Sequence, residues 1–165
     1  MGRTKKLHLM RAEVRARLAM KLCRSLPPSL SYRFHFRVFG ELVGRDIPFE
    51  SRPIWGKARV RGTFEDINDA YFALHGMTNM VGLVVARCVL AGNDTVLELG
   101  ANVGTDTLSL AALLEERGTV VAVESQPSNM AKLMERIETN GIDNVIVIPK
   151  AVNRSSSPVV MVERV

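Results

Sequence analysis

Cysteine is scarce in this 165-residue chain: Cys23 and Cys88 lie far apart in apolar, helical contexts. A disulfide framework needs more, so both are expected as packed or free thiols, which suits a reducing compartment. The histidines His8, His35 and His75 show no ligand spacing, and no metal site is expected. The longest apolar run, Met77 to Leu90, contains Arg87. It falls short of the roughly 20 residues that a membrane-spanning helix needs. Arg, Lys and Glu interrupt residues 7–26, so no secretory signal is convincing. The start MGRTKK lacks the Ser or Thr of a myristoylation signal. The expected location is cytoplasmic, with peripheral membrane attachment as the alternative. Internal repeats and low-complexity tracts are absent.

What is there suffices for one packed domain: 47% of residues are hydrophobic. Charge is unevenly placed. Residues 1–66 carry 15 Lys/Arg against 6 Asp/Glu, a net +9, and residues 67–165 carry 7 against 11, a net −4. The basic part suits an acidic surface, phospholipid or nucleic acid, or is simply a solvated arm. The expected division is therefore 1–66, a basic helical arm with an irregular segment, and 67–165, a ligand-binding domain.

Leu7, Met10, Val14, Leu18 and Leu22 recur at helical spacing within residues 3–26, beside Arg11, Arg15, Arg17, Lys21 and Arg24. Pro27-Pro28 stops that helix. Three readings stay open: a helix lying on an anionic membrane, an organelle presequence, and a helix packed loosely on the domain. Residues 29–57 read as irregular, broken by Gly40, Gly44, Pro48, Pro53 and Gly56. Their aromatics Tyr32, Phe34, Phe36 and Phe39 alternate with basic residues, as a nucleic-acid platform would, but a short strand or a core-facing segment is the favoured reading. Lys57 to Phe64 alternates like a strand, and Asp66 to His75 reads as a helix ended by Gly76. A second helix over Met80 to Leu90, capped by Thr78, is apolar nearly all round and is expected to be deeply buried.

From there strand and helix alternate: strand 95–99, helix 105–117, strand 119–123, helix 127–139 and strand 145–148, with Val159–Val162 as a candidate edge strand. The first two strands are continuous apolar runs, the mark of a parallel sheet covered on both faces. The fold class is thus α/β, a Rossmann-like doubly wound parallel sheet truncated after about three strands.

Ligands in such sheets sit at the carboxyl ends of the strands. There the chain reads Glu98-Leu99-Gly100-Ala101-Asn102-Val103-Gly104-Thr105, and Glu124-Ser125 ends the second strand. Gly100 permits a sharp turn and leaves room for a ligand. Gly104 allows close approach of helix and strand, and Asn102 and Thr105 offer polar groups. A carboxylate at Glu124 suits ribose hydroxyls. A dinucleotide fingerprint would need glycines where Asn102 and Thr105 stand, and the G-K-[ST] of a phosphate loop is missing. S-adenosylmethionine has no pyrophosphate, and it matches one acidic residue near its amino-acid end and another at its ribose.

The ordered series Gly100-Ala101-Asn102-Val103-Gly104, Glu124, Gln126-Pro127-Ser128-Asn129, Asn140-Gly141, Asn144-Val145 and Ala151-Val152 resembles the FkbM family of class I S-adenosylmethionine-dependent methyltransferases. The similarity covers roughly residues 78–163. It implies methyl transfer, often to a hydroxyl oxygen, and a small-molecule, sugar or lipid acceptor rather than nucleic acid. It also implies cofactor contacts at Glu98, Gly100, Ala101, Asn102, Gly104, Thr105, Glu124 and Ser125. Members usually carry a proline where Ser125 stands, and their fourth strand, with its Lys-x-Asp-x-Glu-Gly motif, has no counterpart here. No residue is therefore assigned a catalytic role. The alternatives are a non-catalytic cofactor-binding module and an NAD-type oxidoreductase fragment. The free edge of strand 95–99 leads to the expectation of a homo-oligomer or a completing chain.

Overall fold

A computed structural model describes residues 3–154 other than residue 116. Contacts divide the chain into two compact units, residues 1–54 with 59–78, and residues 55–58 with 79–165.

The first unit begins with α1 (Arg3–Ser25) and α2 (Pro28–Leu42). Pro28 stands at the first position of α2, where a missing N–H costs nothing, so the proline pair that ends one helix also begins the next. The segment expected to be irregular is therefore helical as far as Leu42, and Gly40 is accommodated inside that helix. A two-stranded antiparallel ribbon follows, β1 (Pro48–Ser51) and β2 (Val60–Thr63). The unit closes with α3 (Ile67–His75). Asp66 caps α3 by accepting the Asn68 and Asp69 amides, and Gly76 ends it in the left-handed conformation at φ 76°. Phe64, Phe72, Leu74 and Val60 form its buried centre. Residues 67–78 group with the basic segment, because α3 packs on α1 and on the ribbon.

The second unit carries α4 (Met80–Val89), β3 (Thr95–Leu99), α5 (Thr105–Leu114), β4 (Thr119–Val123), α6 (Pro127–Thr139) and β5 (Val145–Ile148). The strands are parallel in the order β3-β4-β5. This is the expected α/β arrangement, with β3 at an edge among the described residues. Val120, Ala122, Leu108, Leu114 and Leu133 are fully or almost fully buried between sheet and helices.

Two burial expectations fail. Register places Leu97, Val121 and Ile146 side by side on one face, where Leu97 and Ile146 are 61% and 55% exposed. The sheet is therefore covered on one face only by the described elements. On α4, Leu83 alone is buried, while Val81, Val84, Val85 and Val89 are exposed. An apolar helix is buried only where a neighbour meets each face, and α4 meets α5. Its cap is Asn79, which accepts the Gly82 amide, rather than Thr78. No single described helix is long and apolar enough to cross a membrane. Residues 159–162 lie outside the described residues.

Candidate functional site

The site forms where β3 and β4 end. β3 leaves through Gly100 at φ 78°, and the Gly100 and Ala101 amides both donate to the Val123 carbonyl at 2.9 and 3.0 Å. The turn closes when the Gly104 amide donates to the Ala101 carbonyl at 2.9 Å. Asn102 sits in the left-handed region at φ 52°, which asparagine tolerates better than most side chains. This explains how the chain dispenses with a second glycine there. Gly104, at φ 81°, starts α5, and a Cβ on it would collide with Leu133 Cδ1 of α6. Its role is close packing, as its spacing implies. At Gly100 no atom lies within 4 Å of where a Cβ would stand. That glycine faces open space at the strand ends.

Glu124 is buried and holds the turn in place. One carboxylate oxygen accepts the Asn102 amide at 2.8 Å, and the other accepts the Ser125 and Gln126 amides at 3.0 and 2.8 Å. A carboxylate has about four acceptor directions, so roughly one is left for a ligand hydroxyl. Glu98 accepts the Thr107 hydroxyl at 2.6 Å. Burial pushes its carboxyl up to about 7, against the opposing pull of that hydrogen bond, and the nearby Asp106 charge adds to the rise.

The structure brings Glu98, Gly100, Ala101, Asn102, Gly104, Thr105, Glu124 and Ser125 into one turn-and-strand cluster. Within it Ala101 and Thr105 are buried, whereas Asn102 and Ser125 keep partial exposure. Three supporting residues escaped sequence reasoning. Thr107 lies one helical position too deep to look like a ligand group. Asp106 receives the Asn79 amide at 3.1 Å and so ties the start of α4 to α5. Arg136 of α6 is buried and donates to the Val103 carbonyl at 2.8 Å. The helical pattern had a signal for it: Arg136 follows the core residue Leu133 by three, on the same face.

An opening beside Gly100, a carboxylate with a spare acceptor direction and a second, half-buried carboxyl fit a nucleoside carrying an amino-acid tail better than a pyrophosphate. Residues 67–151 match the family described as Protein-L-isoaspartate(D-aspartate) O-methyltransferase (PCMT), and the chain belongs to that family. It is thereby a class I S-adenosylmethionine-dependent methyltransferase chain, and S-adenosylmethionine is the cofactor of the class. The ribosomal RNA small subunit methyltransferase A assigned in Methanothermobacter thermautotrophicus is 40% identical over 57 residues, which are 34% of this chain and 20% of that protein. A tRNA (cytosine(72)-C(5))-methyltransferase of Pyrococcus horikoshii is 28% identical over 78 residues, 47% of this chain and 20% of that protein. The chain spans about a fifth of the length of these curated relatives. Aeropyrum pernix fibrillarin, solved with natively bound S-adenosyl-L-methionine, is similar at 20% identity and a TM-score of 0.36, covering 44% of this chain and 32% of fibrillarin. Because that overlap is so partial, the assignment rests on the family match. The expectation of a small-molecule acceptor and no nucleic acid is overturned: the curated relatives are named for methylating ribosomal and transfer RNA, and the family for methylating protein.

Proposed function

We propose that this chain supplies the donor site of an S-adenosylmethionine-dependent methyltransferase acting on RNA. The observation that carries the donor half is the open side of Gly100 beside the Glu124 clamp. Glu124 and the Asn102 turn would hold the ribose, and Glu98 would face the cationic amino-acid end. When bound, the cofactor supplies an activated methyl group, so the protein's share is positioning. The series shared with FkbM proteins supports a common donor site and not a common acceptor.

The acceptor half rests on charge. Residues 1–66 carry a net +9. On the β1–β2 ribbon, Arg59 and Arg61 share the single acid Glu50, at 3.4 and 3.0 Å, which leaves the ribbon net positive. Phosphate backbones are attracted to such surfaces without regard to sequence. Relatives named for ribosomal and transfer RNA support the same reading.

Calorimetric titration with S-adenosylmethionine, with NAD as the control, tests the donor half. Tighter NAD binding would overturn it. Transfer of labelled methyl to ribosomal and transfer RNA, run beside an isoaspartyl peptide, tests the acceptor half. Label in the peptide alone would replace RNA by a protein carboxylate.

A further inference from the structure

α1 turns the wrong face to solvent. Its contact side, Ala16, Ala19 and Cys23, is small and buried. The larger apolar residues Met10, Val14, Leu18 and Leu22, spaced by four, are 54%, 52%, 62% and 39% exposed. The stripe runs about 18 Å at 1.5 Å per residue. Arg11, Arg15, Arg17 and Lys21 stand beside it and are exposed. Between α1 and α2 the stripe borders a concavity of about 580 Å³, with Met10, Val14 and Leu42 among its apolar walls and Arg11, Arg15 and Arg45 around it. Glu41, the acid in that lining, is engaged by Arg15 at 3.4 Å.

We propose that this face docks an acidic amphipathic helix of a protein partner. The charge decides against a second copy, which would bring the same basic rows into contact. RNA would satisfy the arginines and leave four aliphatic side chains against phosphate. A flat bilayer would not enter the concavity between the two helices. A helix with leucines on one face and glutamates beside them fills the concavity, covers the stripe and pairs with the basic rows, the helix-in-groove mode of recognition. Rim charges of this kind steer association and make it salt-sensitive.

The probe is a fluorescent peptide of about 18 residues with leucines at helical i, i+4, i+7 and i+11 spacing and glutamates flanking them. Its counterpart has every glutamate replaced by lysine. The full chain should bind the glutamate peptide in a salt-sensitive manner and the lysine peptide at least about tenfold more weakly. Leu18→Ser and Val14→Ser should each weaken binding about tenfold, and Arg11→Ala with Arg45→Ala should flatten the salt dependence. All these positions are exposed, so an unchanged thermal midpoint by circular dichroism separates lost docking from lost folding. Failure to bind the glutamate peptide overturns the proposal, as does equal binding of both peptides. Stripe variants that lose binding to phosphatidylserine vesicles or single-stranded RNA, yet keep the peptide, also overturn it.

Discussion

Glu124 accepts the Asn102 amide at 2.8 Å, so the end of β4 clamps the turn that leaves β3. The carboxylate expected only to meet a ribose is therefore also a structural tie, bonded to two further amides at the start of α6.

Glu124→Ala should thus lower stability as well as cofactor affinity. Hydrogen bonds to a charged group contribute about 1.5–3 kcal/mol each, and losses within one carboxylate are not additive, so roughly 3 kcal/mol is expected in urea denaturation. Glu124→Gln should recover part of it. An unchanged unfolding midpoint in the alanine variant would remove the clamp from the account.

The two glycines of the turn should respond differently. Gly104→Ala places a methyl against Leu133 of α6 and strains a left-handed residue, so a loss of about 2–4 kcal/mol is expected. Gly100→Ala meets no atom and should cost only the backbone term, about 1–2 kcal/mol. It should still abolish detectable S-adenosylmethionine binding by calorimetry. Equal stability losses at the two sites would contradict the geometry.

Glu98 couples cofactor binding to pH. Its carboxyl is raised to about 7 by burial, and a cationic ligand end favours the charged form. Affinity should therefore rise from pH 5.5 toward about 7.5 and then level, by up to about tenfold per unit below the raised value. For stability the sign is the reverse. A raised acid favours the folded state fully below its unfolded value, and that contribution is lost as pH rises through about 7. Glu98→Gln should flatten both profiles when binding and urea midpoints are measured across this range.

His35 and His75 give the first unit an acid sensitivity. His75 Nε2 lies 2.9 Å from His35 Nδ1, and Ser31 Oγ lies 3.3 Å from His75 Nδ1. Burial lowers both, His75 to about 4, with the His35 and Arg24 charges adding to the fall at His75. A depressed base stabilises the folded state above its unfolded value near 6.5, and that contribution is lost as pH falls through the folded value. The urea midpoint should drop between pH 6.5 and about 4. In His75→Gln it should drop less over that interval.

The strand and helix bounds of the second unit were largely legible because each carries its own punctuation. Pro127 opens α6 and Asn140-Gly141 follows it, and β5 is a short apolar run after Asn144. α2 was not legible. Gly40 and the flanking prolines read as breakers, yet Pro28 sits where a helix accepts proline. The depth of α4 was misread because an all-round apolar pattern states what a helix prefers, not which neighbours it has. The bond from Arg136 to the Val103 carbonyl was not legible, because a side chain's partner across about thirty residues leaves no local trace, although its spacing from Leu133 marks its face.

The order β3-α5-β4-α6-β5, the glycine turn after Leu99 and the positions of Glu98 and Glu124 at strand ends were determined by sequence alone. Local propensity, capping and a two-glycine spacing act over a few residues, and they are written there. Only the tertiary structure decided that Glu124 spends most of its acceptors on the chain's own amides, and that burial lifts Glu98. It also decided that α1 buries its alanines while leaving Met10 to Leu22 outside. These depend on which surfaces meet after the chain folds back on itself, and the balance of desolvation and pairing that results belongs to no single segment.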